Sequence, residues 1–296
     1  MGRVTSKHLA DRTKETKYGS GNGLQYGCSS MRGCRSNMED TYVARIGLGD
    51  NFAEWSIFGV FDGHGGHQVA QYCADNVVNS IVHDEDFQQI NTEKGLKQTF
   101  LTMDKHIEGM GEFAKECGST AVCALIHRDV VYFANCGDSR AALYRNAMCH
   151  FSSKDHKPND DLEKCRIEQA NGFVLHLDGA ARVNGHLAVS RALGDFMYKE
   201  NTKLKQCQQL VSPEPDIERI QLLSTDANHQ HDCQFIVLAS DGIWDVMSCD
   251  EVGLFVAHYM KTTSDLTAIC NRLLETCLQK VTDKNYTQNV HYLLSC

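Results

Sequence analysis

Three apolar runs in this chain finish in the same way: FGVFDGHGG delivers Asp62, YFANCGDSR delivers Asp138 and IVLASDGIWD delivers Asp241. A carboxylate buried without a partner costs several kcal/mol, so each of these strand ends needs open water or a cation. One run ending in Asp-Gly is an ordinary turn, and each aspartate capping its own turn is the plain alternative. Three such endings, together with the acidic pair Glu39 and Asp40 in RSNMED, point instead to one mouth lined by carboxylates. Hard divalent cations prefer oxygen ligands, and Mg²⁺ or Mn²⁺ keep several waters while using a few carboxylates. Zinc has no comparable arrangement: His64 and His67 form HxxH without an HExxH pattern or a nearby third ligand, and His229 and His231 read as solvated.

Hydrophobic periodicity predicts four helices. Val69, Cys73, Val77 and Ile81 share a face with Ala70, Ala74, Val78 and Val82, and Leu96, Phe100, Met103, Ile107 and Met110 mark a second helix. The third starts at the capping box Ser248–Glu251 and buries Val252, Phe255, Val256 and Tyr259. Leu266, Ile269, Cys270, Leu273, Leu274, Cys277 and Leu278 form the fourth. The runs EWSIFGVF, TAVCALI, VVYFANC, RAALYRN and QFIVLAS read as strands, clustered between helical pairs rather than alternating with them. That order predicts an α+β fold with layers around antiparallel sheets. Residues 1–23 are polar and end in GSGNG, which predicts a flexible arm ahead of a single folded domain over 24–296.

The formal charge of −9 argues against a nucleic-acid or anionic-membrane binder. No run is long and apolar enough to span a membrane. The 14 cysteines are scattered with no CxxC pair, as in a reduced chain with free thiols, and predict neither a disulfide nor a zinc scaffold. Gly2 and Ser6 in MGRVTSK fit the loose N-myristoylation pattern, against which Arg3 counts. The expected location is the cytoplasm, with the nucleus or a membrane surface as further sites.

The runs GNGLQYGCSSMRGCRSNMED, FGVFDGHGG, ANCGDSRAALYRN, RVNGHLAVSRALGDF, VSPEPDIE and VLASDGIWDVMS, in this order from about residue 24 to 280, closely resemble the metal-dependent protein serine/threonine phosphatases of type 2C. The resemblance implies a central β-sandwich of two antiparallel sheets flanked by helices on both sides, with two Mg²⁺ or Mn²⁺ ions at one end. It implies that Asp62 bridges the ions, that Glu39 and the Gly63 carbonyl complete one of them, and that Asp241 holds the other. Asp40 would orient waters, Asp138 would help hold a weaker third ion, and Thr120 would steady a water nearby. The implied reaction is hydrolysis of phosphoserine or phosphothreonine on protein substrates by an activated water. Arg35 would grip two phosphate oxygens with its planar fork, and His64 would protonate the leaving alkoxide. The segment Arg182–Phe196 resembles the family's flap, a candidate for substrate choice.

One departure stands near the C-terminus, where the family has Asp-Asn before an apolar strand. Aligned without a gap, Lys284 takes the aspartate's place and Asn285 the asparagine's. An ammonium there would repel an ion by about 4 kcal/mol per unit-charge pair at about 4 Å and an effective dielectric near 20. Asp283, brought in by a one-residue bulge, is the preferred replacement. The anomaly supports an alternative, a catalytically impaired phosphatase-fold protein that binds phosphoproteins; cysteine abundance alone would support a thiol redox sensor. No cysteine is followed by arginine after five residues, and no GxxxxGK[ST] motif occurs. The resemblance implies a monomeric metal-dependent phosphatase.

Overall fold

The computed structural model describes residues 10–177, 179–223, 233–284 and 290–295, without the side chains of 50, 282–284 and 290–295. Gly2, His229 and His231 lie outside the described residues. The chain first forms β1 (Asp11–Gly21), β2 (Leu24–Gly33), β3 (Thr41–Ile46), β4 (Trp55–Phe61) and the short β5 (Gly63–His64), then α1 (Gln68–Val82), α2 (Glu85–Gln88) and α3 (Thr92–Glu108). Next come β6 (Gly118–Ser119), β7 (Ala121–His127), β8 (Val130–Cys136), β9 (Arg140–Arg145), β10 (Met148–Ser152), α4 (Asp161–Gln169), β11 (Val174–Leu177), β12 (Ala180–Val183), β13 (Leu193–Gly194) and β14 (Asp216–Gln221). The remainder forms β15 (Gln234–Ala239), α5 (Asp241–Trp244), α6 (Cys249–Met260), α7 (Leu266–Lys284) and β16 (Val290–Ser295).

Two antiparallel sheets face each other, one ordered β1-β2-β16-β15-β9-β10 and the other β14-β8-β7-β4-β3. Strand β4 explains why its run is apolar at nearly every position. Ile57 and Phe61 face the helical layer of α1 and α3, packing with Val69, Val77 and Phe100, while Phe58 and Val60 face the opposite sheet beside Leu143 and Leu238. Both faces of the pleat are covered, so alternation in hydrophobicity disappears while alternation in partners remains. On the far side, α5, α6 and α7 cover the six-stranded sheet through Ile243, Val252, Val256, Leu273 and Leu274 against Tyr144, Phe235 and Val237. The α+β sandwich with helices on both sides is therefore as expected.

The four helical stripes are mostly buried as their spacing requires, but Val82, Phe255 and Tyr259 are half-buried, and α3 ends at Glu108, leaving Met110 exposed beyond it. At the start of α6 the capping box is formed: Glu251 N donates to Ser248 Oγ at 3.2 Å, and Ser248 N donates to the Glu251 carboxylate at 2.8 Å.

One expectation fails. Residues 1–23 were assigned to a flexible arm, but Asp11–Gly21 is β1, paired antiparallel with β2 from Gly21↔Leu24 to Asp11↔Gly33. The connection is Asn22-Gly23, with φ of 51° and 74°, the left-handed pair that a two-residue hairpin needs. β1 is an edge strand, mostly exposed and rich in charged residues, and that polarity hides it from a hydrophobicity reading.

Candidate active site

Strand register gathers the acidic residues at one rim. Thr41↔Phe61 sets Asp40, just before β3, beside Asp62, just after β4. Thr120, leading into β7, is locked to the same point: its N–H donates to the Asp62 carbonyl at 2.9 Å and its Oγ1 accepts from Asp62 N at 3.3 Å. The Thr120 and Ser139 hydroxyls are 2.7 Å apart. Ala121↔Cys136 then turns Gly137 and Asp138 out at this rim, and in the other sheet Arg140↔Ala239 brings Ser240 and Asp241 to it.

Glu39, Asp62, Gly63, Asp138 and Asp241 line one cavity of about 270 Å³. Arg35, His64 and Thr120 face the same space, and Arg182 and His186 of the flap form its outer wall. Arg35 is exposed, in the turn after β2, where Arg32 Nη1 donates to its carbonyl at 3.1 Å. Gly63 is required for closeness, since a Cβ there would overlap the Glu39 carbonyl. Asp40 lies behind Glu39, 7% exposed, and neither of its carboxylate oxygens has a hydrogen-bond partner.

The carboxylates repel one another. Burial and the nearby Asp241 push Asp40 up to about 7. Burial, then the charges of Asp40 and Asp138, hold Asp62 well above the usual carboxylate range; burial, then Asp62 and Asp138, do the same to Asp241. Asp138 is in direct contact with a cation, the Lys157 ammonium, which donates to its Oδ2. His156, one residue earlier, accepts from Gly137 N at 3.1 Å through Nδ1 and meets Asp216 at 3.1 Å through Nε2, fixing the backbone that carries Asp138.

An all-oxygen donor set, an orphaned buried carboxylate and mutual repulsion together fit hard divalent cations. Among the described residues no three His, Cys, Asp or Glu side chains are grouped so as to hold an ion by themselves; Mg²⁺ commonly binds through one or two carboxylates and keeps several waters. The backbone of Asp283 lies in the last turn of α7, and its side chain is outside the described residues, as is that of Lys284.

Sequence reasoning missed two participants. Asp195 Oδ2 stands 2.7 Å from His64 Nε2 and is itself buried. Burial lowers the His64 pKa, but the Asp195 charge and hydrogen bond, helped by Asp62 and Asp138, more than offset it and push the imidazole up to about 9. Room for this pair comes from Gly118, where a Cβ would overlap the Asp195 carboxylate and stand 2.6 Å from His64 Nε2. Lys157 is the other. The Gly-Asp of LGDF and the basic residue of DHKP were their only signals.

The family profile described as Protein phosphatase 2C matches residues 24–286. Protein phosphatase 1A of Homo sapiens is 46% identical over 277 residues, covering 90% of this chain and 70% of that protein. Protein phosphatase 1B of Bos taurus is 41% identical over 295 residues, covering 95% of this chain and 58% of that protein. Among solved structures, a phosphatase from Toxoplasma gondii superposes with a TM-score of 0.82 at 25% identity, covering 96% of this chain and 95% of its own. A sex-determining protein of C. elegans, at 24% identity and a TM-score of 0.76 over 92% of this chain and 64% of its own, shares the fold. A family match over residues 24–286, joined to 46% identity with a relative over 90% of the chain, means that this chain belongs to the protein phosphatase 2C family.

Proposed function

We propose that the chain is a Mg²⁺- or Mn²⁺-dependent protein serine/threonine phosphatase that releases phosphate from phosphoserine and phosphothreonine by direct hydrolysis. The observation that carries this reading is the convergence of Glu39, Asp62, Asp138 and Asp241 on one cavity, at carboxylates whose repulsion positive charge would relieve. Glu39, Asp62, the Gly63 carbonyl and Asp241 would hold two ions, with Asp283 as the further candidate ligand. When bound, such ions lower the pKa of a water and neutralise phosphate charge, chemistry matched to an ester whose uncatalysed hydrolysis calls for accelerations of up to about 10²¹.

The chain's own residues do the rest. Arg35, at the cavity mouth, takes two phosphate oxygens in its guanidinium fork and orients the ester. His64 keeps its Nε2 proton on Asp195 and has Nδ1 as the second ring nitrogen, from which a proton passes to the leaving alkoxide. Asp40 and Thr120 orient water at the rim. Asp138, held by Lys157, suits a weaker third ion that must compete with an ammonium already present. Arg182 and His186 on the flap wall face the substrate and bear on its choice. The catalytic unit takes in β1 as well as residues 24–296 and acts as a monomer.

The test is phosphate release from a phosphothreonine peptide with Mn²⁺, with chelator, and with Asp62→Asn. Turnover lost to chelator and to the substitution supports the enzyme. Saturable peptide binding without phosphate release, in the unmutated chain with Mn²⁺, would replace it with the phosphoprotein-binding alternative.

A further inference from the structure

We infer that the buried Asp104–Lys199 ion pair, neither member of which lines the acidic cavity, is the positioning device that sets Asp195 against His64. The inference rests on the reading of His64 as proton donor. Asp195 has φ 56° and ψ 42°, a left-handed conformation that residues with a side chain disfavour, directly after Gly194 at φ 80°. Something must hold the turn there.

Asp104, on α3, reaches over to do so. Its Oδ1 accepts from Gly194 N at 2.9 Å and from Lys199 Nζ at 2.7 Å, and Lys199 Nζ donates onward to the Ala192 carbonyl at 2.9 Å. The clamp therefore grips the backbone just before Asp195, at the Ala192 carbonyl and the Gly194 N–H, through the side chain of Lys199, which stands four residues after it. Gln206 Nε2 braces the aspartate from behind, at 3.4 Å from Oδ2, while donating to the Leu101 carbonyl at 3.0 Å. Both charges are out of water, Asp104 wholly and Lys199 at 3% side-chain exposure.

The same turn is tied to the histidine through a small sheet. β13 pairs with β6 and β6 with β5, so Leu193, Ser119 and Gly63 are in register, and Asp195 N donates to the Cys117 carbonyl at 3.0 Å. The clamp fixes one end of this sheet and His64 is the other. A buried ion pair is a poor stabiliser compared with apolar residues of equal volume, which makes its hold on these two backbone groups the more telling feature.

The test exploits the leaving group. An alkoxide leaving a phosphothreonine peptide needs a proton, whereas p-nitrophenolate leaving p-nitrophenyl phosphate does not. In Asp104→Leu/Lys199→Met, which removes both charges together, kcat for the peptide should fall at least 10-fold while kcat for p-nitrophenyl phosphate stays within about 3-fold. Asp104→Asn, a gentler change that keeps the shape, should show the same split at 3-fold or more should the double variant not fold. His64→Gln is the control for the underlying reading: equal losses on both substrates there would sink the proton-donor role itself. A split in His64→Gln with proportional losses on both substrates in the Asp104 variants would leave His64 standing and overturn the clamp, reducing the pair to a structural contact.

Discussion

Arg35 is the residue whose proposed task separates most cleanly from its neighbours'. It is exposed and lines the cavity without being a ligand, so its loss should be felt by phosphate and not by metal. Two charge-assisted hydrogen bonds to a phosphate, at about 1.5–3 kcal/mol each, correspond to roughly 10²- to 10⁴-fold in kcat/KM. Arg35→Ala is expected to lose that much on a phosphothreonine peptide while Mn²⁺ affinity, read by calorimetry, is unchanged; equal weakening of both would contradict the assignment. Residues of the rim were legible where an apolar run delivers them, as with Asp62, Asp138 and Asp241. Asp195 was not, because it follows a two-residue strand in irregular chain and takes its place from Gly194, Gly118 and a lysine on a later turn. Among the described residues no two cysteines are bridged. Several are core: burial pushes Cys123, Cys136 and Cys277 up to about 12, far from thiolate chemistry at neutral pH.

Helix α4 shows how one element steadies the flap. Its Glu163 is buried between two arginines, with Arg191 Nη2 at 2.8 Å and Arg166 Nη1 at 2.6 Å, and accepts from Ser190 Oγ at 2.6 Å. Arg166 also donates to the Gln209 carbonyl at 3.1 Å, and Arg191 to the Glu214 carbonyl at 3.0 Å. Burial alone would raise the Glu163 pKa; Arg191, Arg166 and Ser190 outweigh it and bring it down from 4.5 to about 2. A carboxylate with a depressed folded value contributes stability that is present above 4.5 and lost as pH falls towards 2, on the order of 3 kcal/mol. The urea midpoint should therefore drop across that window, and Glu163→Gln, less stable at pH 7, should show a shallower drop; an unchanged slope would locate the acid sensitivity elsewhere. Nothing in the polar sequence of α4 announced this role. The β1–β2 hairpin, by contrast, was announced by Asn22-Gly23 and overlooked because its first strand is charged and lies at the sheet edge.

For the whole molecule, the sandwich was legible because each layer leaves a separate trace: helical stripes outside, and strand runs apolar on both faces within. What the linear sequence could not carry is register, which decides that acidic ends from both sheets meet at one rim. That meeting places repulsion at the end of the sandwich, and repulsion between like charges at a fixed site opposes folding. A divalent ion bound only by the folded chain reverses the sign, contributing about 2.7 kcal/mol at 100-fold over its Kd, or roughly 5 °C in Tm for a chain of this size. Mn²⁺ should thus raise Tm by about that much over chelator at pH 7.5. Asp62→Asn removes one of the mutually repelling charges and the proposed bridging ligand together. Its Tm in chelator should equal or exceed that of the unmutated chain, while most of the gain from Mn²⁺ disappears. A variant that is less stable in chelator yet keeps the full Mn²⁺ shift would mean that Asp62 is a structural turn residue and that any ion binds elsewhere.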